Sequence, residues 1–149
     1  MKTIDPNLTK QAPRSPRVRL GGYCLLPRIL DKCRAVLAKQ NGEYNFNCPL
    51  DQQFFGFTGI NALAFKKEVA KGKSDGEMLD WVRKNAKRKS VASEIAAWTD
   101  HQALRAPGEV DGRDFLHECH VKMAPKRDDI ETWFDLLDLD DYVSFGGQP

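Results

Sequence analysis

Apolar positions along this chain recur at helical rather than strand spacing. Ile29, Leu30, Cys33, Val36 and Leu37 fall on one face of a segment that Pro27 can open and Gly42 follows. That spacing predicts a helix over about 27–40, with Arg28, Asp31, Lys32 and Arg34 facing away or flanking. Leu50, Phe54 and Phe57 share a face between Pro49 and Gly59, and Asn61 is placed to cap a helix that reaches about Lys71 before Gly72 stops it. Ser74, with Glu77 three residues on, has the reciprocal capping pattern ahead of the stripe Met78, Leu79, Val82 and Ala86. Ser90 opens a further helix with Val91, Ile95 and Trp98 inward, and Asp111 caps one whose core side is Phe115, Leu116, Cys119 and Met123. Asp128, with Glu131 at the capping-box offset, starts a last helix presenting Ile130, Trp133, Phe134 and Leu137.

Seven such segments and almost no alternating pattern predict an all-α domain, a compact bundle of about six to seven short helices. Only 43–47 could be extended. Residues 1–26 differ, because Pro6, Pro13, Pro16, Gly21 and Gly22 argue against a long helix and for an extended, proline-containing arm wrapping the body. The stretch 104–112 reads as an exposed loop. A chain of 149 residues is expected to form a single domain, 1–149, large enough to bury a sizeable core.

Charge adds an architectural expectation. Residues 1–40 hold nine Lys/Arg against Asp5 and Asp31, whereas 128–149 hold seven acids and no base among Trp133, Phe134, Leu136, Leu137, Leu139, Tyr142 and Phe145. A disordered acidic tail would not carry that much apolar surface. The two ends are therefore expected to meet, with 128–149 as an acidic-aromatic helix and docking segment. Prolines would stiffen the arm so that Arg14 and Arg17 reach Asp135, Asp138 or Asp140, or clamp an anion in the gap.

No apolar run approaches the roughly 20 residues that span a bilayer, and the start of the chain lacks the apolar stretch of a secretory signal. The expected location is cytoplasmic, and the four cysteines (Cys24, Cys33, Cys48, Cys119) are expected to be reduced thiols.

The segment Gly42-Glu-Tyr-Asn-Phe-Asn-Cys-Pro-Leu-Asp holds the best candidate chemistry. Cys48 would sit at the N-cap of the helix opened by Pro49, where free N–H groups favour a thiolate, with Asp51 one turn in and the Tyr44 hydroxyl nearby. A nucleophilic cysteine needs a base, which His101, His117 or His120 would have to bring from elsewhere. The plainer reading makes Cys48 a small buried apolar residue and Asp51 a first-turn carboxylate favoured by the helix dipole, and it is preferred.

Other constellations read as structural. His117-Glu-Cys-His120 lacks four convergent ligands, since Cys119 points inward and the others do not. Asp135, Asp138 and Asp141, three apart, could hold a hard cation but lack the loop and carbonyl ligands of an EF-hand, and pairing with the basic arm explains them. The basic run from Arg83 to Lys89 complements a helix C-terminus, and nucleic acid is an unlikely partner on so narrow a footprint. No metal and no cofactor is expected.

Three blocks resemble a bacterial family known only as a domain of unknown function, DUF5069. They are Pro13-Arg-Ser-Pro-Arg with Leu20-Gly-Gly-Tyr and Leu26-Pro-Arg-Ile-Leu-Asp-Lys-Cys-Arg-Ala; the 42–51 segment with Phe57-Thr-Gly-Ile; and Thr132-Trp-Phe-Asp-Leu-Leu-Asp-Leu-Asp-Asp-Tyr-Val-Ser-Phe-Gly-Gly. The similarity spans about 8–147. It implies a single bacterial domain and no activity.

Three functional classes remain open. The leading one is a non-enzymatic helical domain binding a small ligand, anions included, or a protein partner, in a cleft near Arg14, Arg17, Tyr44, Cys48, Asp51, Trp133 and Asp135. The second is a cysteine-dependent enzyme acting through Cys48 on a small anionic substrate. The third is an oligomeric scaffold presenting Leu136, Tyr142 and Phe145.

Overall fold

Helices in this chain begin where a side chain or a turn can take the free N–H groups. The computed structural model describes residues 5–149, and among them seven helices: α1 (Leu26–Leu37), α2 (Asp51–Thr58), α3 (Ala62–Val69), α4 (Asp75–Asn85), α5 (Ala92–Leu104), α6 (Val110–Met123) and α7 (Trp133–Ser144). The fold is all-α, and its one β feature among these residues is an isolated bridge between Leu20 and Tyr23. The first four residues of the expected arm, Lys2 among them, lie outside the described residues. None of the described helices is long and apolar enough to cross a membrane.

Asn61 caps α3 by accepting from the Ala64 N–H at 3.0 Å, and Ser74 with Glu77 forms the capping box of α4. α7 starts later than Asp128. Thr132 accepts from the Asp135 N–H at 3.1 Å while the Asp135 carboxylate accepts from the Thr132 N–H at 2.9 Å. Two consecutive box patterns compete here, and the Trp133 N–H donates to the Arg105 carbonyl, which fixes the later start. α1 ends at Leu37 rather than near Gln40. Lys39 turns left-handed (φ 57°), and the Gln40 and Lys39 N–H groups return to the Ala35 and Val36 carbonyls, closing a Schellman motif. Leu37 is consequently exposed. Residues 43–47 are not extended; they run through turns at Gly42-Glu43 and Phe46-Asn47.

The main core is aromatic. Phe54 is fully buried, with Tyr23 and Phe55 rings edge-on at 5.5 Å and Trp98 and Phe65 further out. A second, smaller core lies between α6 and α7, around Leu116, Ile130, Leu136 and Leu139. Phe115, expected inward, is 55% exposed, because α6 is covered on one side only and Leu116 takes that side. Leu136, expected as part of an outer patch, is buried, leaving Tyr142 and Phe145 exposed.

The main correction concerns α1. Every residue from Leu26 to Ala35 is buried, including Arg28, Asp31, Lys32 and Arg34, expected to face away or flank the core side. A helix enclosed on all sides must neutralise its charges internally. Each one does so on a different element: Arg28 on Asp141 of α7, Asp31 on Arg14 of the arm, Lys32 on Asp51 of α2, and Arg34 on Asp75 of α4. α1 is the axis of the fold.

Candidate functional site

α1 turns Arg28 and Lys32, one turn apart, toward an open cavity of about 700 Å³. Its other walls come from the arm (Leu8), the 42–50 segment (Glu43, Tyr44, Cys48), α7 (Leu137, Asp140) and Phe145 just after it. Gly42 sits in this wall at φ 54°, and a Cβ there would fall 2.9 Å from the Leu8 carbonyl oxygen. Gly42→Ala is therefore expected to cost about 1–2 kcal/mol, through the left-handed backbone and displacement of the arm. A urea titration against wild type measures it.

Two buried clusters form the floor. In the first, Arg28 donates to Asp141 Oδ2 at 2.7 Å, and the Tyr44 hydroxyl donates to Asp141 Oδ1 at 2.7 Å. The Arg28 guanidinium lies 5.6 Å from the Tyr44 ring centroid. Burial, then the bond to Asp141, pushes the Tyr44 phenol up, so it remains a donor. In the second, Lys32 Nζ donates to Asp51 Oδ1 at 2.7 Å and to Cys48 Sγ at 3.4 Å, while Asp51 Oδ2 accepts from the Asn47 N–H at 2.9 Å. The Lys32 and Asp51 side chains are 4% and 0% exposed.

The carboxylates at the rim are arranged differently. Among the described residues, no cationic side chain lies within ion-pair distance of Glu43 or Asp140. Both are exposed, yet partial desolvation, followed by the neighbouring Asp141 charge and, beyond the opposing pull of Arg28, that of Glu43, pushes the Asp140 carboxyl up.

Of the expected site residues, Tyr44 and Cys48 share this cavity, and Asp51 lies beneath it, wholly buried and already bonded. Cys48 is not the N-cap of α2. Leu50 holds that position, and the Cys48 carbonyl accepts from the Gln52 N–H. The others are placed elsewhere. Arg14 does not reach the acidic tail; it bridges Asp31 and Asp75, whose bonds outweigh the burial that would lower its pKa and hold it above the usual range. Arg17 does reach the tail, pairing with Asp135 and with Asp138 at 3.1 Å, and Ser15 donates to Asp138 at 2.7 Å. Those pairs are half-exposed and contribute about 0–1 kcal/mol. Trp133 belongs to the second core, beside Gly112. The residues not foreseen are Arg28, Lys32 and Asp141. Arg28 and Lys32 at i and i+4, which puts both on one side of α1, are a signal that could have raised the first two.

The remaining candidate ligand sets are spoken for. His120 donates to the Arg127 carbonyl, Asp135 and Asp138 hold Arg17, and Asp141 holds Arg28 and Tyr44. No three His, Cys, Asp or Glu groups among the described residues converge as metal ligands would. The four cysteines are free thiols; burial pushes Cys24 up to about 11 and Cys33 up to about 12. Iodoacetamide at neutral pH is thus expected to label Cys48 and Cys119, which are partly exposed, and to spare Cys24 and Cys33 until the protein unfolds. Peptide mapping of the labelled chain reads this out.

A family model described as "Domain of unknown function (DUF5069)" matches residues 10–143. No curated protein matches the chain.

Proposed function

The chain belongs to the DUF5069 family, whose description assigns no activity, and we propose that it holds a small molecule in the cavity against Arg28 and Lys32, without catalysis. One observation carries this reading: a cavity of about 700 Å³ lies against two buried cations, Arg28 and Lys32, each fixed from behind by a buried carboxylate, Asp141 and Asp51. The volume is in the range of small-molecule sites, and apolar walls with few polar groups are their usual lining. Rigid floor groups keep such a site open at little ordering cost.

The anion expected from Arg14 and Arg17 loses its support, since both arginines are already paired and neither lines this cavity. The docking-scaffold reading loses Leu136 to the second core.

Native mass spectrometry of freshly purified protein, compared with the denatured sample, tests the proposal. A retained adduct in wild type that is absent from Leu137→Trp, which puts a bulky ring into the cavity wall, supports it. An adduct held equally by both proteins places the ligand elsewhere and sinks the assignment.

A second reading keeps Cys48 as a nucleophile. Its specific support is Lys32 Nζ at 3.4 Å from Sγ, a cationic partner where no histidine is near. Labelling rates separate the two. Cys48 reacting far ahead of the similarly accessible Cys119 favours the enzyme, and comparable rates favour binding alone.

A further inference from the structure

The cavity's occupant can be narrowed by accounting for every charge that faces it. Two cations line the cavity, and both are cancelled in place. Arg28 meets Asp141 at 2.7 Å and Lys32 meets Asp51 at 2.7 Å, with both basic side chains only 4% exposed. An incoming anion would have to compete with a carboxylate already bonded to each. Breaking such a buried pair leaves an uncompensated charge behind, a cost that an anion's own contacts must first recover.

The acids are not balanced in this way. Glu43 and Asp140 also line the cavity, and no described cation lies within ion-pair distance of either. Both carboxylates are exposed at the mouth of the cavity, and partial desolvation with the Asp141 and Glu43 charges pushes the Asp140 carboxyl up against the pull of Arg28. The uncharged wall mixes the polar Thr9, Asn45 and Ser144 with an apolar stretch of Leu8, Leu50, Leu137 and Phe145. Tyr44 adds a ring that already holds one guanidinium near its centroid, and a ring face attracts cations in general.

Resting on the binding role assigned above, we infer that the cavity takes a small organic cation, an amine with an apolar body, whose ammonium meets Glu43 and Asp140 while its hydrocarbon lies along Leu137 and Phe145. The cavity then ends with its charges balanced. The floor stays closed and the rim acquires the cation it lacks.

The test uses three probes with the same tail, hexylammonium, 1-hexanol and hexanoate, titrated into the full isotope-labelled chain and followed by amide chemical shifts. Hexylammonium is expected to move amides of the 42–45 and 137–145 segments and to bind about tenfold more tightly than 1-hexanol. In a Glu43→Gln, Asp140→Asn variant, hexylammonium should weaken by about tenfold while 1-hexanol is unchanged. Both substitutions lie at the rim, where no described partner is lost, so folding is not at issue. Equal affinity for the amine and the alcohol, or tighter binding of hexanoate, overturns the cation assignment and leaves the binding cavity standing. If none of the three probes moves these amides, the cavity itself is not a binding site and both inferences fall.

Discussion

Asp51→Ala is expected to lower stability by about 3–5 kcal/mol, the largest loss available from one side chain of the candidate site. Asp51 is fully buried and holds the Lys32 ammonium at 2.7 Å, and Lys32 has only the Cys48 sulfur as a second partner. Removing the carboxylate leaves a cation inside the fold with nothing to compensate it. It also frees the Asn47 N–H, which Asp51 accepts at 2.9 Å, so the turn before α2 loosens with it. Against a typical total of about 5–15 kcal/mol, such a loss removes at least about a fifth of the stability. Urea unfolding followed by circular dichroism gives the number. A paired change, Asp51→Leu with Lys32→Met, removes both charges and should recover most of the loss, because an apolar pair of similar volume can replace a buried ion pair. An Asp51→Ala midpoint equal to wild type would show that the pair does not carry α1 against α2.

Phe54→Ala ranks beside it, at about 3–5 kcal/mol. Its ring is fully buried at the meeting point of Tyr23, Phe55, Phe65 and Trp98, so truncation leaves a void that four aromatic rings cannot close together. The control is Phe115→Ala. That ring is 55% exposed on α6, and its removal should change stability by no more than about 0.5 kcal/mol. A helical wheel drawn on the sequence ranks the two phenylalanines alike. Equal losses in the two variants would contradict the burial described above.

What the sequence makes legible is local. Asn61 and the Ser74–Glu77 box could be read because each cap bonds a partner three residues away. The Asp128–Glu131 pattern was just as local, and it lost to Thr132–Asp135 because Trp133 is tied to Arg105, a tertiary fact. The opposite charges of the two ends point to contact, and Arg17 with Asp135 and Asp138 makes it, yet Arg14 turns to Asp31 and Asp75. α1 is where reading by periodicity breaks down. Its charged residues look solvated because their partners are distant in the chain: Asp51 is 19 residues from Lys32, Asp75 is 41 from Arg34, and Asp141 is 113 from Arg28. The same distance explains the candidate site. Tyr44 and Cys48 were found because they share one short segment, while Arg28, Lys32 and Asp141 join them only in the folded chain.

The enclosure of α1 also bears on how the molecule comes apart. Its four charges are compensated by four separate elements, so detaching the arm, α2, α4 or α7 alone leaves one charge stranded in the interior. Partly open states are thereby raised in energy, and they gain little until α1 itself meets water. Opening should accordingly be all-or-none across these parts. In native-state hydrogen exchange, the slow amides of α1, α2 and α7 are expected to share one protection energy equal to that of global unfolding, whereas α6, which buries only Leu116 and packs Cys119 and Met123 partly covered, exchanges earlier.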